Sequence, residues 1–126
     1  MIAIKKKILL VDDDSDFLWL TARLLERSGY KMLQAGSGEE GLERFKRGRP
    51  HLVLMDYCMP GRDGLQIAQE MKSLLPTVPI IIITGYATIE IARQALAKGA
   101  FDFIAKPFKP SDLRAIIERA SKELRA

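Results

Sequence analysis

Three segments of the sequence, 8–11, 51–55 and 78–83, are almost entirely apolar. Strands that pack against helices on both faces have this composition, whereas strands with one face in water alternate apolar and polar residues. The segments therefore predict buried strands of a parallel sheet. Weaker apolar patterns at 31–35 and 101–104 predict two more strands, the first of them nearer an edge of the sheet.

Each predicted strand is followed by a segment with helical periodicity. The predicted helices, by residue number, are 15–28, 37–47, 65–75, 88–98 and 110–124. Ser37 and Glu40 form a capping-box pattern, and glycines at positions 29, 48 and 99 are expected to end three helices. Five successive β–α units predict an α/β domain, a parallel sheet with helices on both faces, that occupies 1–126 as one unit.

The first predicted helix has two different faces. Phe17, Leu20 and Leu25 lie on one side at helical spacing, and this side is expected to pack against the sheet. Trp19 points nearly the opposite way, beside Arg23, and is expected in solvent. The favoured interpretation is an aromatic ring that lies flat over neighbouring side chains, and the alternative is a docking residue for a partner.

Composition argues against several classes of protein. No apolar segment approaches the roughly 20 residues that cross a bilayer, and the apolar run after the N-terminal lysines is too short for a signal peptide. We therefore expect a cytoplasmic protein without membrane contact. The net charge of +4 comes from basic residues interleaved with Glu, so no direct nucleic-acid binding is expected. A single cysteine, Cys58, excludes an internal disulfide.

Polar residues stand where the predicted strands end. Asp12 and Asp13 follow the first strand, Asp56 the third, Thr84 the fourth and Lys106 the fifth. In an open parallel sheet, ligands gather beyond these carboxyl ends. Clustered carboxylates repel one another unless a cation lies between them, and Mg²⁺ suits such a site because it binds one or two carboxylates, water and phosphate oxygens.

Such a cluster can also carry out phosphoryl transfer. A carboxylate is able to act as the nucleophile and form an aspartyl phosphate. The reaction requires little beyond positioning and positive charge around the phosphoryl oxygens. The metal and Lys106 would supply this charge, and Thr84 could donate a hydrogen bond to one oxygen.

Four motifs resemble those of the receiver domains of two-component response regulators, in the same order along the chain. They are Ile8-Leu-Leu-Val-Asp-Asp-Asp14, Leu54-Met-Asp56 through Met59-Pro-Gly-Arg-Asp-Gly64, Ile83-Thr-Gly85 and Lys106-Pro-Phe108. The resemblance covers essentially the whole chain and implies a flavodoxin-like, doubly wound (βα)5 fold with strand order 2-1-3-4-5. The segment 84–89 is most similar to receivers of enhancer-binding transcriptional regulators.

The resemblance implies a metal site and a phosphoacceptor. Asp56 would accept the phosphoryl group. Asp13 and Asp56 would bind Mg²⁺, which Mn²⁺ can replace, together with the backbone carbonyl of Cys58 and, through water, Asp12. By contrast, Asp14 and its neighbour at position 16 are expected to stabilise the positive N-terminus of the first helix.

The resemblance also implies a switch. Thr84 and Lys106 would contact the phosphoryl group, and Phe103 would rotate inward as Thr84 moves toward it. The peptide bond between Lys106 and Pro107 would be cis. The face formed by the fourth helix, fifth strand and fifth helix would then rearrange and be recognised by a partner or a second copy of the domain.

The implied partners are a sensor histidine kinase or a phosphotransfer protein, and a downstream target or fused effector domain. We expect no enzyme activity beyond phosphorylation and dephosphorylation of the chain itself. The chain ends after the fifth predicted helix without an effector domain, which slightly favours a stand-alone receiver over a fragment. The alternative function is an aspartate-nucleophile phosphatase with Asp12 as nucleophile, but it would need a cap over its substrate for which the chain has no spare length.

Overall fold

The computed structural model of the chain describes residues 5–59, 61, 63–85 and 89–123. Five parallel strands alternate with five helices in this part of the chain. The strands are β1 (Lys7–Val11), β2 (Lys31–Ala35), β3 (Leu52–Asp56), β4 (Ile80–Thr84) and β5 (Asp102–Ala105). The helices are α1 (Ser15–Arg27), α2 (Gly38–Gly48), α3 (Gly64–Leu74), α4 (Ile89–Ala97) and α5 (Pro110–Glu123). The strand order 2-1-3-4-5 confirms the predicted flavodoxin-like α/β fold.

The two faces of the sheet bury separate cores. Side chains alternate between the faces along a strand, so Leu9 and Val11 of β1 point to one side and Ile8 and Leu10 to the other. The first core also contains residues of α2 and α3 and Ala95 of α4, and the second contains residues of α1 and α5. All residues of β3 and β4 are buried, as their apolar sequences predicted.

The last three strands extend one residue beyond the predicted ends. Asp56 and Thr84 are the final residues of β3 and β4 and still pair with the neighbouring strand, Asp56 with Ile83 and Thr84 with Ala105. In β3 and β4 the predicted ends were placed at the last apolar residue, whereas backbone pairing continues through the polar one. Asp56 and Thr84 are therefore held by the sheet itself.

Gly48 ends α2 as predicted, but it is not the left-handed residue after the helix. Gly29 and Gly99 have the positive φ expected after a helix, but Gly48 is the last residue of α2, and Arg49 (φ 48°) adopts the left-handed conformation. A Cβ at Gly48 would overlap the side chain of Leu33, so this glycine permits close packing of α2 on β2. Ser37 is the N-cap of α2, as predicted, and the Glu40 carboxylate accepts from the backbone N–H of Gly36, the residue before the cap.

The predicted buried face of α1 is shifted. Leu25 is fully buried, but Leu20, which was expected inside, is 61 % exposed. The buried residues are Thr21, Ala22 and Leu25, so Leu20 lies outside the buried stripe. Trp19 is 57 % exposed as predicted, and the guanidinium of Arg23 lies 4.8 Å from its ring centre.

Some predictions concern residues that the structure does not describe. The beginning of the fourth predicted helix at position 88, residues 86–88 of the segment 84–89, Pro60 and Arg62 of the second motif, and Leu124 lie outside the described residues. Within the described part, no helix has both the length and the apolar character that a membrane span requires.

Candidate functional site

Two adjacent strands bring the predicted carboxylates together. Asp12 directly follows β1, and Asp56 ends β3, which pairs with β1. Asp12 and Asp56 are buried and Asp13 is exposed, and one carboxylate oxygen from each of the three lies within 4.8 Å of the others. The site is thus accessible from the side of Asp13 and enclosed on the side of the sheet.

Thr84 at the end of β4 and Lys106 directly after β5 place a hydroxyl group and an ammonium group at the same edge of the sheet. The Lys106 Nζ lies 2.7 Å from Asp12 Oδ2 and 4.0 Å from Asp56 Oδ1. The backbone N–H of Lys106 donates to the carbonyl of Thr84. Thr84 is fully buried, and the residue before it, Ile83, is the strand partner of Asp56. The Lys106–Pro107 peptide bond is cis, as the resemblance implied.

The pKa of the Asp56 carboxyl is raised in the folded protein. Burial, followed by the negative charge of Asp12, raises its pKa from 3.8 to about 6. The charge of Lys106 and a hydrogen bond from the Cys58 backbone act in the opposite direction but do not cancel these effects. A single ammonium therefore does not compensate the clustered carboxylates, and the site favours additional positive charge.

The donor set fits a hard divalent cation. Carboxylate oxygens from Asp12, Asp13 and Asp56 are the type of ligand that Mg²⁺ and Mn²⁺ prefer. The side chain of Asp14 is engaged elsewhere: it is the N-cap of α1 and accepts from the backbone N–H groups of residues 16 and 17. Burial and the charge of Asp56 raise the pKa of the Cys58 thiol, so the thiol stays neutral and a poor metal ligand.

The predicted switch residue Phe103 lies on β5. Its side chain is partly buried and packs against the first core. Next to it, Asp102 accepts from Arg119 of α5 at 2.8 Å, which ties β5 to α5 on the face expected to recognise partners. Leu96 of α4 is half exposed near the end of that helix.

Gly64 has a role at the site that the sequence pattern did not indicate. It is the first residue of α3, and its N–H donates to the carbonyl of Tyr57. A Cβ at this position would overlap the carbonyl oxygen of Asp56. The glycine within the second motif was the only available signal, and it could not reveal which backbone group lies against it.

Replacing Gly64 with Ala is expected to lower the free energy of unfolding by about 2 kcal/mol, because the start of α3 must move away from β3. The displacement should also disturb the Asp56 backbone and weaken Mg²⁺ binding. Urea unfolding and a Mg²⁺ titration measure the two effects. Gly36→Ala is the control, since nothing lies within 4 Å of a Cβ there. A Gly64→Ala protein as stable as the control protein would contradict the close approach.

Comparison with known proteins decides the family. Residues 8–118 match the model of the response regulator receiver domain family. The chain belongs to this family. It is 39 % identical over 120 residues to the nitrogen assimilation regulatory protein NtrX of Azorhizobium caulinodans, which covers 94 % of this chain and 26 % of that protein. It is 36 % identical over 113 residues to the DNA-binding transcriptional regulator NtrC of Escherichia coli, which covers 90 % of this chain and 24 % of that protein.

Solved structures agree with this assignment. The receiver domain protein (CheY-like) from Methanospirillum hungatei superimposes with a TM-score of 0.90 at 33 % identity, over 97 % of this chain and 98 % of that one. The predicted similarity to receivers of enhancer-binding regulators is confirmed by the NtrX and NtrC matches. This receiver spans about a quarter of the length of those two relatives.

Proposed function

We propose that this receiver is a phosphorelay switch in which Asp56 accepts a phosphoryl group from a sensor histidine kinase or a phosphotransfer protein. The observation that carries the proposal is the position of the buried Asp56 carboxylate within a three-carboxylate cluster, 4.0 Å from the Lys106 ammonium. Asp13, Asp56 and the backbone carbonyl of Cys58 would hold Mg²⁺ or Mn²⁺, with Asp12 acting through water. The bound metal would neutralise charge on the phosphoryl oxygens.

The chain's own residues divide the chemistry among them. An Asp56 carboxylate oxygen forms the new bond to phosphorus as the bond to the donor's nitrogen breaks, and that nitrogen leaves with the electron pair. Before phosphorylation the Lys106 ammonium forms an ion pair with Asp12. It can move toward the developing negative charge because its Nζ lies only 4.0 Å from Asp56 Oδ1. Thr84 donates to a phosphoryl oxygen. The activity is limited to phosphorylation and dephosphorylation of the chain itself.

The output is a conformational change at a distance. Phosphorylation adds charge at the end of β3, Thr84 and Lys106 close on the phosphoryl group, and Phe103 rotates inward. The face formed by α4, β5 and α5 is then recognised by a downstream protein, a fused effector domain or a second copy of this chain. We propose a cytoplasmic setting, in which this domain itself binds neither nucleic acid nor membrane.

The alternative, a phosphatase that uses Asp12 as nucleophile, is disfavoured by the contacts of that carboxylate. Asp12 is fully buried, its Oδ1 accepts from the backbone N–H of Asp14 at 2.9 Å, and its Oδ2 accepts from Lys106 at 2.7 Å. Both oxygens are therefore engaged in hydrogen bonds. The Asp56 carboxylate has the longer contact to Lys106 and is the better nucleophile candidate.

Intact-mass measurement after incubation with a small phosphodonor and Mg²⁺ tests the proposal. The wild-type protein is expected to gain one phosphoryl group, and Asp56→Asn or removal of divalent metal should abolish the gain. The control is Asp63→Asn, because Asp63 caps α3 through the Gln66 N–H and lies outside the carboxylate cluster. Peptide mapping that places the phosphoryl group on Asp12 would overturn the proposal in favour of the phosphatase.

A further inference from the structure

An aromatic pair lies beside the lysine of the site. The Lys106 Nζ lies 4.1 Å from the centre of the Phe17 ring. Phe108 meets the same ring edge-on, with a distance of 5.9 Å between ring centres and an angle of 87° between their planes. The ammonium is thus bounded by carboxylates on one side and an aromatic face on the other. The functions proposed above assign nothing to Phe17.

The two kinds of contact respond differently to added charge. The carboxylate of Asp12 belongs to the cluster that would bind a divalent cation, and a cation there weakens the attraction between Asp12 and Lys106. The ring is uncharged, so its attraction for an ammonium depends on its own quadrupole and persists. Phe108 packs against Phe17 in the edge-to-face geometry that fixes an aromatic ring.

We infer that Phe17 is a positioning residue for phosphoryl acceptance, since its ring face keeps the Lys106 ammonium at the carboxylate edge when a cation engages the cluster. This inference rests on the proposed role of Asp56 and Lys106. It gives a reason for the contact between the Phe17 ring and the Lys106 ammonium. Neither side chain is fully buried: Phe17 is partly buried, and the side chain of Lys106 is 26 % exposed.

The contact can be measured without phosphorylation. Protons of a lysine side chain over an aromatic face resonate upfield, so the terminal methylene protons of Lys106 should be shifted upfield in NMR spectra of the metal-free protein. The shift should be lost in Phe17→Leu, which keeps an apolar side chain, and retained in Phe17→Tyr. It should also remain when Mg²⁺ is added to the wild-type protein. Lys106 protons that do not change in Phe17→Leu would overturn the inference.

The kinetic test uses a small phosphodonor, so that docking of a donor protein plays no part. Phe17→Leu is expected to slow phosphoryl acceptance about fivefold, whereas Phe17→Tyr should retain most of the wild-type rate. Leu20→Ala is the matched control, because Leu20 is exposed and lines the same apolar groove as Phe17. In a Lys106→Met background, Phe17→Leu should cause no further loss.

The outcomes separate the inference from the function on which it rests. Equal slowing by Phe17→Leu with and without Lys106 would show a purely structural role and overturn the inference, as would a Tyr variant as slow as the Leu variant. In both cases phosphorylation of Asp56 would stand. If the wild-type protein gained no phosphoryl group, the proposed function would fail, while the NMR measurement would still decide whether Phe17 holds Lys106.

Discussion

Lys106→Met is expected to destabilise the metal-free protein by about 3 kcal/mol and to slow phosphoryl acceptance about 100-fold. The loss of stability arises because Asp12 is fully buried and Lys106 is its ion-pair partner at 2.7 Å. Removing the ammonium leaves a buried carboxylate with one backbone hydrogen bond, from Asp14. The loss of rate follows because one donor to the phosphoryl oxygens is gone.

Urea unfolding and phosphorylation time courses measure the two effects of Lys106→Met. Mg²⁺ should restore part of the lost stability, because a cation beside Asp12 replaces the missing positive charge. The control is Lys109→Met, since Lys109 is exposed and lies in the same connection between β5 and α5. Lys106→Met with wild-type stability and rate would show that the ammonium supports neither Asp12 nor the reaction.

Asp56→Asn is expected to stabilise the metal-free protein by about 2 to 3 kcal/mol near neutral pH, although it removes the phosphoacceptor. Burial and the charge of Asp12 raise the pKa of Asp56 from 3.8 to about 6 in the folded protein. Below pH 3.8 the carboxyl is protonated in both the folded and the unfolded chain, so it does not lower the free energy of unfolding. As pH rises from 3.8 to about 6, the unfolded chain releases the proton more readily, and folding becomes less favourable.

The difference in the free energy of unfolding between Asp56→Asn and the wild-type protein should therefore grow with pH and become constant above about pH 6. Chemical unfolding of both proteins at several pH values, with a chelator present, measures it. Saturating Mg²⁺ should narrow the difference, because the cation stabilises the charged carboxylate of the wild-type protein. Asp63→Asn is the control for loss of a nearby carboxylate. A difference that is constant from about pH 4 to pH 8 would contradict a raised pKa of Asp56.

Much of the fold could be predicted because each element carries a local signal. The short apolar segments around Leu54 and Ile82 predicted strands covered on both faces, and the glycines at positions 29 and 99 follow helices in the conformation expected of them. The strand order was implied by the family resemblance, since local patterns do not specify which strands are neighbours. Leu20 was wrongly placed inside because helical spacing defines a stripe but not its centre.

The residues of the site could be predicted as a set but not in their detailed contacts. Strand ends gather at one edge of a parallel sheet, which placed Asp12, Asp56 and Lys106 together. The shortest contact of Lys106 is its hydrogen bond to Asp12, a residue 94 positions away in the sequence. This contact depends on side-chain packing that no local pattern encodes. The same holds for the ring of Phe17 over Lys106 and for the approach of α3 to the Asp56 carbonyl at Gly64.

The shared cation site is tested most directly by a crystal structure of the protein with Mg²⁺ and beryllium fluoride, a mimic of the phosphoryl group. We expect the cation about 2.1 Å from oxygens of Asp13 and Asp56, and the mimic on the Asp56 carboxylate within hydrogen-bond distance of Lys106 and Thr84. A cation bound away from the three carboxylates, or a mimic attached to Asp12, would contradict the arrangement from which the switch is derived.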